Sequence, residues 1–147
     1  MSVSLVGAQV AEKINSKMAG VAIDFNETDV WVEPQNLPKV GKFLRDDSET
    51  DLQMLNSISA VDYVEYFELV YHFRSLRRNS TFVLKARCYG RDELTVPSLV
   101  GVWHGAELQE REIWDLMGIK FTDHPNLKRI LLWEGFPGHP LRKDFIR

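Results

Sequence analysis

A two-layer α+β domain is the fold this sequence predicts: a sheet, antiparallel or mixed, with helices on one face, followed by an extended carboxy-terminal strap. Three observations carry that prediction. Residues 53–62, 64–74 and 80–88 form consecutive runs with a period of two, joined by short polar connections. Helical patterns flank these runs instead of alternating with them, which separates the predicted order α-β-β-α-β-β-β-α from a parallel α/β sheet. The last thirty residues follow neither period, although eleven of them are large and apolar (Ile119, Phe121, Leu127, Ile130, Leu131, Leu132, Trp133, Phe136, Leu141, Phe145 and Ile146).

Each element has a local cause. Val6, Val10, Ile14 and Met18 recur at every fourth residue and predict an amphipathic helix ending at Gly20. Val21, Ile23 and Phe25 alternate, Asn26-Glu27-Thr28-Asp29 supplies turn chemistry, and Val30 and Val32 alternate again, which predicts a hairpin. Asn36 ahead of Leu37-Pro38 reads as a cap with proline in the first turn, and Leu37, Val40, Phe43 and Leu44 make one helical face closed by Asp46-Asp47-Ser48. In the central strand Phe67, Leu69, Tyr71 and Phe73 face one way, with Glu68 and His72 on the other. Arg77-Arg78-Asn79-Ser80 turns the chain into the next strand, where Phe82, Leu84, Ala86 and Cys88 share a face. Ser98 caps a predicted short helix to Trp103. A longer helix from Ala106 to Met117 stops at Gly118, the residue suited to a left-handed cap.

Composition bounds the function. At 147 residues, 44% apolar and 27% charged, the chain fits one globular domain with a sizeable core. No apolar run approaches the roughly 18 to 20 residues that span a bilayer, and the start, MSVSLVGAQVAEKIN, lacks the pattern of a signal peptide; a cytoplasmic location is expected. A single cysteine, Cys88, excludes an internal disulfide, a cluster held by about four thiolates and a cysteine-rich zinc site. Charge is uneven. Residues 1–117 hold 12 basic and 18 acidic side chains, whereas residues 118–147 hold 6 basic and 3 acidic. The sequence thus divides into an acidic body, 1–117, and an apolar, basic strap, 118–147. Such a strap lies on a surface, because left in water it invites aggregation. A partner's surface is the expected place, since Trp133 and Phe136 flank turns that the body need not cover. The acidic body argues against nucleic acid.

Motifs for independent catalysis are missing. There is no glycine-rich phosphate loop, no serine nucleophile elbow and no helical His pair. His124 and His139 each precede a proline, and with Asp123 they define the one hydrolase-like metal set the sequence offers; backbone hydrogen bonding at extended corners is the simpler role for both. Glu110, Arg111, Glu112 and Asp115 form a charged cluster on the last helix, with Arg111 and Asp115 spaced to pair along it.

Read as one string, Glu110 to Phe145 resembles the signature of the C-type subunit of bacterial proton-pumping NADH:quinone oxidoreductase (respiratory complex I), the 30-kilodalton subunit family. The matching elements are Glu110-Arg111-Glu112, Trp114-Asp115, Gly118-Ile119-Lys120-Phe121, His124-Pro125-Asn126-Leu127-Lys128-Arg129-Ile130-Leu131 and Gly138-His139-Pro140-Leu141-Arg142-Lys143-Asp144-Phe145. The chain stops two residues after Phe145, so it looks like the short form not fused to the neighbouring D-type subunit. The resemblance implies a peripheral subunit on the cytoplasmic side of the bacterial membrane. It implies docking on the D-type subunit that helps form the quinone cavity, with the B-type cluster subunit as a second neighbour. It also implies no catalytic centre, flavin, cluster or quinone ligand in this chain; flavin and iron–sulfur clusters belong to neighbouring subunits. The same module occurs in membrane-bound hydrogenases, in ferredoxin- or F420-linked dehydrogenases and in the plastoquinone-reducing complex. Interface residues expected on this basis are Glu110, Arg111, Glu112, Asp115, Phe121, His124, Pro125, Arg129, Trp133, His139, Pro140, Arg142, Lys143, Asp144 and Phe145, with Arg129 and Arg142 pairing with carboxylates or carbonyls on assembly.

The purified chain is expected to bind no redox cofactor. An absorbance spectrum without flavin or iron–sulfur bands is the result that agrees.

Overall fold

The structure, a computed structural model, describes residues 2–145; Ile146 and Arg147, the last two residues of the strap, lie outside the described residues. In chain order the elements are β1 (Val3–Ser4), α1 (Gly7–Lys17), β2 (Ala22–Phe25), β3 (Asp29–Val32), a 3-10 turn (Pro34–Asn36) and α2 (Leu37–Asp46). There follow β4 (Met54–Asp62), β5 (Phe67–Ser75), β6 (Ser80–Cys88), β7 (Thr95–Pro97), α3 (Ala106–Met117) and β8 (Lys120–Thr122). The main sheet runs β2-β3-β6-β5-β4. It is mixed: β3 pairs with β6 in parallel, and β2–β3, β6–β5 and β5–β4 are antiparallel. β1 adds a short parallel pairing at Ser80 and Thr81. A separate parallel pair joins β7 to β8.

Period-two patterning decides the layers. Phe67, Leu69, Tyr71 and Phe73 of β5 and Phe82, Leu84, Ala86 and Cys88 of β6 are all buried, in one core with Val10 and Ile14 of α1, Leu37, Val40 and Leu44 of α2, and Ile113 and Met117 of α3. Burial pushes the Cys88 thiol up to about 12, as suits a small apolar core residue. Trp103 joins the layers: its ring centroid is 4.5 Å from that of Phe73, its Nε1–H donates to Leu52 O at 2.9 Å, and it lies so close to Gly41 that a Cβ there would be 2.8 Å from the ring. The opposite face carries Glu68, His72, Arg74, Lys85 and Arg87. There Trp31 donates to Glu68 at 3.1 Å and takes Lys85 and Arg87 about its ring at 5.0 and 5.1 Å.

Both outer strands are blocked by carboxamides. Asn15 of α1 accepts Ala22 N–H (2.9 Å) and donates to Ala22 O (3.3 Å). Gln109 of α3 accepts Ile58 N–H (2.6 Å) and donates to Asn56 O (3.3 Å). Each amide occupies backbone positions that a further strand could otherwise use.

Several expectations change. Ser98–Trp103 is a turn, not a helix: the N–H groups of Val102 and Trp103 both donate to Leu99 O, and Ser98 donates its hydroxyl to Glu110 instead of capping a helix. Asn36 makes no side-chain cap, because the 3-10 turn leads straight into α2. A register shift between Ala22 and Asp24 breaks the alternation of the first hairpin strand and leaves Ile23 and Phe25 exposed at the sheet edge. The strap is not wholly irregular either. Lys120–Thr122 pairs as β8, and Ile119 and Phe121 sit in the core, so the core runs past Met117.

Replacing Trp103 with alanine is expected to cost about 3–5 kcal/mol, the usual range for an emptied aromatic site. Urea unfolding followed by circular dichroism measures it.

Candidate functional site: a carboxylate-anchored strap

Helix α3 presents two buried carboxylates on different sides. Asp115 is fully buried and collects the strap. Its Oδ2 accepts the backbone N–H of Ile130 (3.1 Å), Leu131 (2.7 Å) and Leu132 (2.9 Å), and its Oδ1 accepts Arg129 Nη1–H at 2.8 Å. Burial alone raises this carboxyl, but the N–H groups of Leu132, Leu131 and Ile130 and the Arg129 guanidinium outweigh it and hold the group below its ordinary value. Arg129 goes further: it donates to Asp115 O (3.1 Å), Phe136 O (2.8 Å) and Gly138 O (2.8 Å). His139 donates from Nδ1 to the same Asp115 O at 3.0 Å, and Leu141 N–H reaches Leu116 O at 3.0 Å. The strap therefore satisfies the last carbonyls of α3, which otherwise lack partners, and places cationic Arg129 at the negative end of the helix dipole.

Gly118 makes that approach possible. It sits at φ 76°, ψ 17°, and a Cβ would lie 2.6 Å from the His139 ring. Earlier along α3, Arg111 donates to Lys128 O (3.1 Å) and Arg129 O (3.2 Å). His124 accepts Asn126 N–H at Nδ1 (2.9 Å), so its Nε2 carries the proton donated to Glu107 O at 3.0 Å.

A second carboxylate fixes the far end. Asp62, at the end of β4, takes both Nη groups of Arg91 at 2.7 Å, together with Val64 N–H and Lys143 N–H at 2.8 Å each. Arg91 chiefly, helped by the Lys143 and Val64 N–H groups against the cost of burial, holds Asp62 well below the usual carboxylate range. Arg91 Nε–H also reaches Asp144 at 3.1 Å, and Arg142 donates to Asp144 (3.0 Å) and Arg91 O (2.7 Å). Both guanidinium groups lie over the Phe67 ring, at 4.8 and 5.2 Å.

Glu110 works differently. Fully buried, it accepts the Ser98 hydroxyl (2.6 Å) and Leu99 N–H (2.8 Å), and desolvation raises its carboxyl above the ordinary value against those two bonds.

Past Leu127, which still packs against the core, the strap turns polar atoms inward and leaves several large apolar side chains outside. Leu131, Trp133 and Leu141 are 62%, 64% and 60% exposed. Trp133 meets Phe136 edge-on at 5.6 Å, and Phe136 stacks near Phe145 at 6.3 Å.

These contacts sort the residues expected at an interface. Glu110, Asp115 and Phe121 are buried inside the chain. Arg111 pairs weakly with Glu107 (3.9 Å) and not with Asp115. Arg129 and Arg142 find their carboxylates and carbonyls within this chain, without a second protein. His124, His139 and Arg142 are half-buried in the strap's own bonding, whereas Glu112, Pro125, Trp133, Lys143 and Asp144 are exposed, with Pro140 and Phe145 half-buried. The strap is bonded to its own body at Asp115 and Asp62. His124 and His139 bond to carbonyls eight residues apart on α3, about 12 Å along the helix axis. They do not converge, and among the described residues no group of three or more His, Cys, Asp or Glu is placed to hold a metal ion. Sequence reasoning misses Asp62 and Arg91, because no local pattern ties either of them to residue 143.

Residues of the Glu110–Phe145 string are gathered in this anchor, between Asp115 on the helix and Asp62 on the sheet. The chain belongs to the family described as the 30-kilodalton subunit of respiratory-chain NADH dehydrogenase, whose profile matches residues 30–147. It is 39% identical over 147 residues to the C subunit of NADH-quinone oxidoreductase from Parvibaculum lavamentivorans, covering 98% of this chain and 72% of that one. The corresponding C subunit from Roseiflexus is 41% identical over 150 residues, covering 96% and 84%. A chain of the membrane-bound sulfane sulfur reductase, an archaeal respiratory membrane complex, shares the fold, with a TM-score of 0.73 at 24% identity over 95% of this chain and 85% of that one.

The carboxylates have opposite pH signatures. Asp62 and Asp115 have depressed folded values, so their stabilisation is present above the unfolded carboxylate value near 4 and is lost as pH falls through the folded values. Asp115→Asn is expected to lower stability by about 3 kcal/mol at pH 7, with the deficit shrinking below about pH 4. Glu110, raised in the folded state, contributes fully below about pH 4 and loses that contribution as pH rises through its folded value. Glu110→Gln should therefore gain on the wild type as pH rises. Chemical denaturation of the three proteins between about pH 3 and 8 checks both trends.

Proposed function

We propose that this chain is a non-redox subunit of the peripheral arm of a complex I-type NADH:quinone oxidoreductase, in which it assembles with and stabilises the subunit that forms the quinone site. The observation that carries this reading is the inverted strap, with polar groups spent inward on Asp115 and Asp62 and with Leu131, Trp133 and Leu141 left in water. Exposed aromatic and aliphatic anchors on a rigid frame are the residues from which interface hot spots are built. The D-type quinone-site subunit is the proposed occupant of that face, with the B-type cluster subunit adjacent, on the cytoplasmic side of the membrane. Among the described residues no helix is long and apolar enough to cross a membrane, so attachment through the complex is the proposed route.

Catalysis is proposed to be indirect: the chain holds a redox neighbour in shape and supplies no flavin, cluster or quinone ligand. The single thiol is buried in the core and pushed up to about 12, far from the thiolate that a cluster needs. Relatives at 39% and 41% identity named for NADH-quinone oxidoreductase favour this assembly over hydrogenase or ferredoxin- and F420-linked machines, for which the archaeal likeness supports the fold alone.

A tagged chain purified from its host is expected to carry the quinone-site subunit with it. Leu131→Lys with Trp133→Ser, both at exposed positions, should leave the melting curve within a few degrees of wild type and cut that association about tenfold or more. Cutting after Asp123, which keeps Ile119 and Phe121 in the core, is expected to leave a folded but less stable body that fails to assemble. Unchanged recovery of the quinone-site subunit with either variant would contradict the proposal.

A further inference from the structure

The corner where β4 turns into β5 carries a second exposed surface, built from other residues than Leu131 and Trp133. Tyr63, Tyr66 and Tyr89 form a continuous row of rings, with centroids 5.2 and 5.3 Å apart and planes tilted by 37° and 44°. The outer two are 48% and 65% exposed, and Val64, next to Tyr63 in the chain, is 56% exposed. Tyrosine rows of this kind offer large contact area at little entropic cost, which is why the residue is enriched at interfaces.

The backbone here is strained. Val64 sits at φ 72°, a left-handed conformation that a β-branched side chain rarely adopts and that typically costs on the order of 1–3 kcal/mol. Glu93, in the facing loop, sits at φ 57°. The strain at Val64 is held on both sides: its N–H is bound by Asp62 (2.8 Å) and its carbonyl by Arg91 (2.8 Å). Solvation alone gives no reason to fix an apolar valine outward in such a conformation.

Charge narrows the occupant. The exposed ionisable groups of the two loops are Glu65, Asp92 and Glu93, all acidic. Arg91 is spent on Asp62, Asp144 and the Val64 carbonyl, and Lys143, whose backbone N–H reaches Asp62, adds one positive charge against those three. An acidic, tyrosine-lined corner repels nucleic acid and anionic lipid and suits guanidinium groups, which pair with carboxylates and lie over aromatic faces.

We propose that Tyr63, Val64 and Tyr89, with Glu65 and Glu93, form a second docking surface for an arginine-bearing face of a neighbouring protein subunit, distinct from the contact made by Leu131 and Trp133. This rests on the reading of the chain as a complex subunit. Arg91 positions the corner and also binds Asp144 near the end of the strap.

The test uses the assembled complex. With Tyr89→p-benzoylphenylalanine, irradiation of the purified complex is expected to give one dominant cross-linked product, with an arginine-containing peptide of a neighbouring subunit. Tyr63→Ala with Tyr89→Ala should leave the melting of the isolated chain unchanged, yet speed its loss from the complex about tenfold. Glu65→Lys with Glu93→Lys should do the same, most strongly at low salt. Wild-type assembly with no inter-subunit cross-link, with cross-links only to lipid, or with both double variants retained like wild type overturns the second surface and leaves the first intact. Failure of the wild-type chain itself to enter the complex overturns the parent reading, and this one with it.

Discussion

A carboxylate taken wholly out of water must be repaid in hydrogen bonds, and Asp115 is the place where that requirement shapes the most chain. No neighbour on its own helix meets it: Arg111, one turn earlier, turns instead to Glu107 and to strap carbonyls. Three successive N–H groups and one guanidinium have to come from elsewhere, and they come from residues 129–132. Once those four residues are fixed, Arg129 is aimed at the carbonyls of Phe136 and Gly138, and His139 returns to the helix end over Gly118. The course of the strap, which has little repeating structure of its own, follows from satisfying one buried charge.

Under the proposed function, stability and association fall to different atoms of the same segment. In an ordinary amphipathic element apolar side chains bind the body and polar atoms meet water. Here main-chain and cationic groups bind the body, and Leu131, Trp133 and Leu141 remain on the outside. Hydrogen bonds to charged acceptors are directional, so they hold the outward side chains in one arrangement before any partner arrives, which reduces the ordering cost of binding.

Much of the body is legible in the sequence because its signals are local. The alternation of Phe67 to Phe73 and of Phe82 to Cys88 places both central strands and the buried thiol, and Gly118 marks the end of the last helix. The string from Glu110 to Phe145 identifies the family. What escapes is pairing between distant residues. Nothing near Asp62 announces Arg91 or the Lys143 N–H, 81 positions away. A three-residue strand such as Lys120–Thr122 is too short to show a period. Ser98 misleads because its hydroxyl has two possible uses, and burial of Glu110 decides between them. The strap's attachment is hidden for a related reason: the sequence displays its apolar side chains, but many of the bonds that hold it come from the backbone, which every sequence shares.

The long separation between Asp62 and Lys143 has a consequence for synthesis. Chains emerge at roughly 5–20 residues per second, and amino-terminal regions fold first, so the sheet and its helices can form before the strap has left the ribosome. Until the strap arrives, the carboxylates of Asp115 and Asp62 lack the N–H groups of residues 130–132 and 143 and are expected to be met by water. Docking of the strap is then an exchange, in which water leaves and amide and guanidinium groups take its place. It comes last, and with it the outward face is set. On this order of events Leu131, Trp133 and Leu141 take their final arrangement only after the sheet and its helices have formed.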